Sequence, residues 1–267
     1  MLRNVLAKTI RDQRVSLGWW AVGLVAACLL TTMLYPSVRE NAESLSEVIE
    51  TLPEGLRRAL VGASADFFSP TGYLQARLFA LFVPLLLLMY TIGAGSRAIA
   101  GEEERKTMDV LLSTPVTRRR VLLDKTLAMV AALAGLCVVI WLALVVTGPP
   151  FDVSVGPGTL AAGVANAFLL ALAFGGIALA VGAGTGRRSL AVGVAAGLAS
   201  GTYLVDVLAL SVDGLEWLER ATPFFYYRST EALVRGLDAV NAGVLLGIAA
   251  VAIGVAFVTF ERRDLAA

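Results

Sequence analysis

Residues 78–100 read LFALFVPLLLLMYTIGAGSRAIA, and residues 101–106 follow at once as GEEERK. The first string is apolar for longer than a bilayer's hydrocarbon core requires, about 20 residues. The second is as charged as any part of the chain. An abrupt boundary of this kind marks the end of a membrane-spanning helix. Five more stretches of similar length and apolarity run from Gly18 to Tyr35, Thr126 to Thr147, Thr159 to Thr185, Ser189 to Leu210 and Ala239 to Phe260. The reading is an all-α membrane protein with six transmembrane helices. Together the spans take up about half of the 267 residues, which leaves one membrane domain, residues 1–267, with loops.

Composition agrees: 57% of residues are hydrophobic and only 16% charged, against roughly 25% charged in soluble domains. No histidine is present, so HExxH proteases, Ser/His/Asp triads and His-ligated metals are excluded, and the chain has no candidate catalytic or metal-ligating residue. Cys28 and Cys137 both lie inside apolar runs and read as small buried hydrophobes. The net charge of +1 points to no nucleic-acid partner.

Where the charges lie is more informative than their sum. Six spans place both termini on one side, and that side collects fifteen of the 22 basic residues, among them Arg11, Arg97, Arg118 to Arg120, Lys125, Arg187, Arg188 and Arg263. The positive-inside rule makes it the cytoplasmic side of a multi-pass plasma membrane protein. Val25 to Cys28 matches a lipoprotein cleavage box, but the run continues apolar through Leu34, so the first helix is expected to be retained. Before it, Leu2, Val5, Leu6 and Ile10 alternate with basic residues as an amphipathic interfacial helix within residues 1–17. Trp19 and Trp20 then mark a turn into the bilayer.

The outer connection, residues 36–77, carries a capping box at Ser44 and Glu47 and two short helical patterns before and after Pro53. The cytoplasmic loop, residues 101–125, begins with three carboxylates in a first helical turn, favoured there by the helix dipole. Glu102 with Lys106 and Arg105 with Asp109 have i,i+4 spacing, and Met108, Leu111 and Leu112 form an apolar edge. Pro115 breaks that helix, and Thr117 caps the next, which carries Arg118 to Arg120. A charged helix with an apolar edge at the membrane surface suits docking to a cytoplasmic partner. A solvated acidic face beside an Arg run bound to membrane lipids is the plainer alternative.

The run from Ala98 to Lys125 resembles the loop between the second and third helices of ABC-2 type transporter permeases, which commonly reads close to AGEEExGTLELLLSxPVSRxxLLLGK. The departures are Lys106 and Asp124, each where a glycine is common. The six-span plan and the first helix are similar along most of the chain. The resemblance implies a coupling helix seated in a groove of a separate nucleotide-binding ATPase subunit, with Glu102, Glu103, Glu104, Met108, Asp109 and Leu111 as contacts. It also implies a second permease chain, identical or not. ATP and Mg would belong to the partner, since the chain has no GxxxxGK[ST] loop; Gly182 to Ser189 reads as a flexible turn.

Two features bear on mechanics. Pro84 removes a hydrogen bond to the Ala80 carbonyl and is a candidate hinge by kinking its helix. Gly193, Gly197 and Gly201 repeat every four residues as a small-residue face for helix packing or a dimer contact. Ionisable residues within the spans are few: Arg77, Arg97 and Asp206 fall near span ends, within reach of the interface. That favours a path for a hydrophobic or amphiphilic substrate over ion-coupled transport, and the resemblance to ABC-2 permeases implies export. A non-transporting membrane partner of an ATPase stays open.

Overall fold

The computed structural model describes residues 5–41, 51, 68–104, 117–209 and 216–263. All regular structure among them is helical. Six helices are long and apolar enough to cross a membrane: Arg11–Glu40, Pro70–Ala98, Arg118–Thr147, Pro157–Thr185, Arg188–Ala209 and Ala239–Arg262, here spans one to six. The expected short helices between residues 44 and 60 lie outside the described residues, as do Met108, Asp109 and Leu111.

Span four is the axis of the bundle. It packs against spans six, two, five and three, and most of its apolar stretch is buried, whereas most of span five's is not. Its small residues explain the position. Ala167, Ala171, Gly175, Ala178 and Gly182 let neighbouring backbones approach closely, and a Cβ on Gly95 of span two would run into the Gly175 carbonyl. Span one pairs mainly with span three.

Three boundaries differ from the sequence reading. Span one belongs to a single helix, Val5–Glu40, with no turn at Trp19 and Trp20. Nothing between Arg14 and Gly18 is a proline or a cap that would break it. At 36 residues and about 1.5 Å per residue, the helix reaches well beyond the apolar core. Span two begins at Pro70, eight residues before the expected Leu78, because Ser69 caps it by accepting the Gly72 N–H at 3.1 Å. The connection after span five also folds back as three short helices, Glu216–Glu219, Pro223–Ser229 and Ala232–Arg235.

That fold-back changes the place of Asp206. Far from reaching water, it is buried and ion-paired with Arg228, at 3.0 and 3.3 Å, and Arg228 also bonds Glu219 at 3.2 Å. The helix carrying Arg228 comes from outside the span, so span-end position alone could not reveal the pair. Asn166 likewise donates to the Tyr227 carbonyl at 2.8 Å.

Pro84 does not interrupt an ordinary α-ladder. Gln75–Phe82 is a π-helix, and the Val83 N–H bonds the Leu78 carbonyl five residues back. In that register Pro84 would have donated to the Phe79 carbonyl. The Tyr227 hydroxyl donates there instead, at 2.5 Å, so the acceptor freed by proline's missing N–H stays satisfied. Burial pushes the Tyr227 phenol well above its ordinary range, which keeps it protonated as a donor. The carbonyl left without a proline donor is therefore that of Phe79 rather than Ala80, and it is bonded from the fold-back segment.

Candidate functional site

Span two ends where Ile99 leaves regular helix geometry, and a short helix, Ala100–Glu104, turns off it. The Glu102 and Glu103 N–H groups bond the Ile99 carbonyl at 3.0 and 3.1 Å. Ala100 and Gly101 are buried, which fixes the turn against the bundle. Three successive side chains then diverge to three different spans.

Glu102 accepts from the Lys125 ammonium at 2.5 Å, and both side chains are largely shielded. Since these two residues stand at opposite ends of the 101–125 loop, the pair closes its base. Glu103 is bound by Arg263, just after span six, through both guanidinium nitrogens. Arg263 also donates to the Ala183 carbonyl of span four at 3.1 Å. Glu104 accepts the backbone N–H of Arg188 at 3.0 Å. Its carboxylate thus sits at the start of span five, where helix N–H groups are unpaired and the dipole favours negative charge.

The far side of the loop is tied in as well. Thr117 caps span three as expected, accepting the Arg120 N–H at 3.3 Å. Arg119 makes a two-pronged pair with Glu261 of span six, and Arg118 donates to the Arg263 carbonyl at 3.0 Å. Arg120 bonds Asp124, one of the two departures from the family pattern, at 3.2 Å.

The turn at Gly186, within the Gly182 to Ser189 stretch, makes defined contacts. Gly186 takes a left-handed φ of 67° and donates to the Gly182 carbonyl at 2.9 Å, ending span four as a glycine C-cap. A Cβ on Gly186 would meet the Glu103 and Arg263 side chains. Gly186→Ala should therefore combine about 1 kcal/mol of backbone strain with displacement of the Glu103 pair. The expected result is a melting temperature several degrees lower for the purified chain in detergent, with an unchanged far-ultraviolet helix signal.

Sequence reasoning placed the glutamates on a helical turn but gave them local partners. Their described partners lie between 23 and 160 residues away, at separations that sequence periodicity does not register. Gly193, Gly197 and Gly201 face open space, with no described atom within 4 Å of a Cβ built on any of them. The face of span five that packs inward is Ala191, Ala195 and Ala199.

The described residues thus form a six-span helical bundle whose 102–104 turn is tied to residues at the ends of spans three, five and six. The family profile described as ABC-2 family transporter protein matches residues 3–265, and the chain belongs to that family. No curated protein matches the sequence. The chain is thus a multi-pass transporter permease.

Proposed function

We propose that the chain is the membrane-spanning half of an ATP-driven ABC exporter, with ATP and Mg held by a separate nucleotide-binding subunit that docks on the 101–125 loop. The observation that carries this reading is the divergence of Glu102, Glu103 and Glu104 to spans three, six and five. A load applied to the loop reaches three spans through its first turn. Span two receives it covalently. The basic face, with both termini, lies in the cytoplasm, as the distribution of Lys and Arg supports.

In this scheme the glutamates are transmitting residues, and Met108, Asp109 and Leu111 are the ones that touch the ATPase. ATP binding would draw two ATPase subunits together and displace the loops, and the bundle would rearrange to move a hydrophobic or amphiphilic substrate. A second permease chain, identical or related, would pack on the open face of Gly193, Gly197 and Gly201, which nothing described in this chain occupies. Pro84 and its π-helical turn provide a place for span two to adjust.

The test uses chemistry already suited to the chain, because both native cysteines are buried. Met108→Cys, or Leu111→Cys, in the complex co-expressed with its Walker-type ATPase should cross-link to that subunit, and nucleotide should change the yield. If neither position cross-links while the complex remains assembled, the loop is not the docking element.

A further inference from the structure

Two clefts meet at one side chain. A polar cleft of about 270 Å³ at the basic end is lined by Asp12, Gln13, Arg97, Glu102, Lys125 and Arg188, among others. An apolar groove of about 480 Å³ runs between spans two and five, lined by Leu85, Met89, Val192, Ala196 and Tyr203, and Arg188 again stands on its wall. The groove is within the size range of small-ligand sites, roughly 300–1,000 Å³.

The charges of the polar cleft are not all neutralised internally. Lys125 is taken by Glu102, and Glu104 is engaged by the Arg188 backbone rather than its guanidinium. The Arg188 guanidinium and the Asp12 carboxylate have no ionic or hydrogen-bond partner among the described residues, each other included. Ordered outward from the groove, the sequence is therefore apolar wall, free cation shared by both clefts, then free anion in the polar cleft alone. An amphiphile that complements this order has hydrocarbon first, an anionic group next and a cationic group last.

We infer that the paired clefts bind a zwitterionic phospholipid of the phosphatidylethanolamine type, drawn from the leaflet at the basic face. An acyl chain lies in the groove between spans two and five. The phosphate meets Arg188, whose planar fork of donors suits phosphate oxygens. The ammonium, with three donors, reaches Asp12. An anionic lipid such as phosphatidylglycerol offers the phosphate but no cation for Asp12, and a second protein copy would not reproduce the charge order. The inference rests on the chain's place in a bilayer and not on the ATPase, so a failure of ATP coupling leaves it standing.

The experiment is native mass spectrometry of the purified permease alone, given equimolar phosphatidylethanolamine and phosphatidylglycerol. The wild type should retain phosphatidylethanolamine at least about fivefold over phosphatidylglycerol. Arg188→Ala should lower retention of both lipids, whereas Asp12→Asn, an exposed position that is no part of the bundle core, should abolish the preference and spare phosphatidylglycerol. Equal retention by the wild type, an unchanged preference in Asp12→Asn, or a dimer that carries no lipid would each overturn the assignment.

Discussion

Arg228→Ala should be among the most destabilising single changes in the protein. Asp206 is buried to 3% exposure within span five, and its described ionic partner is the Arg228 guanidinium, which comes from the fold-back segment. Removing Arg228 strands that carboxylate in an apolar setting and releases Glu219 as well. Breaking a buried ion pair in this one-sided way costs about 3–5 kcal/mol. Arg228 itself is 38% exposed, which places the expected loss near the lower end of that range. Asp206→Asn combined with Arg228→Ala should recover a large part of it, because a neutral amide requires no counter-charge. Thermal melts of the four proteins in detergent check the cycle. Additive losses would mean that the pair is not coupled.

Gly95→Val should be comparably severe for a different reason. A Cβ at Gly95 is directed into the Gly175 backbone carbonyl and comes close to the Leu179 nitrogen and the Ala178 methyl. None of these is the end of a flexible side chain, so spans two and four must separate. Overpacking of this kind costs about 1–3 kcal/mol even where the surroundings adjust, and here the adjusting element is the central helix. The expected outcome is loss of monodisperse protein on size-exclusion chromatography. By contrast, Gly197→Val should leave the isolated chain's melting temperature nearly unchanged, since no described atom lies within 4 Å of its Cβ position.

Those two glycines show where the sequence was legible and where it was not. Six spans, the acidic first turn at Glu102 to Glu104 and the Thr117 cap follow from apolar run length and local chemistry, and the described residues have them. Which face of span five turns inward does not follow, because Ala191, Ala195 and Ala199 repeat with the same period as Gly193, Gly197 and Gly201 and are just as small. The contacts that close the bundle, Gly95 with Gly175 and Gly163 with Leu233, join positions on different elements that no periodicity within one span can match to each other. The same holds for charge. Asp206 looked like a span-end residue until the chain after span five returned to cover it. Pro84 was recognisable as a special position, but the π-helical turn that absorbs it depends on Tyr227, 148 residues from the carbonyl it bonds.

In the proposed mechanism the loop and the bundle move as one because the first turn of the loop is ionically keyed to the spans. The decisive experiment is a charge swap at the pair that closes the base of the loop, Glu102 and Lys125, in the permease reconstituted with the proposed ATPase subunit. The quantity measured is the permease-dependent part of the ATP hydrolysis rate. Glu102→Lys and Lys125→Glu should each remove most of that increment while the complex stays assembled, and the double exchange should restore it. An increment that survives both single exchanges would show that the Glu102–Lys125 pair does not carry the coupling.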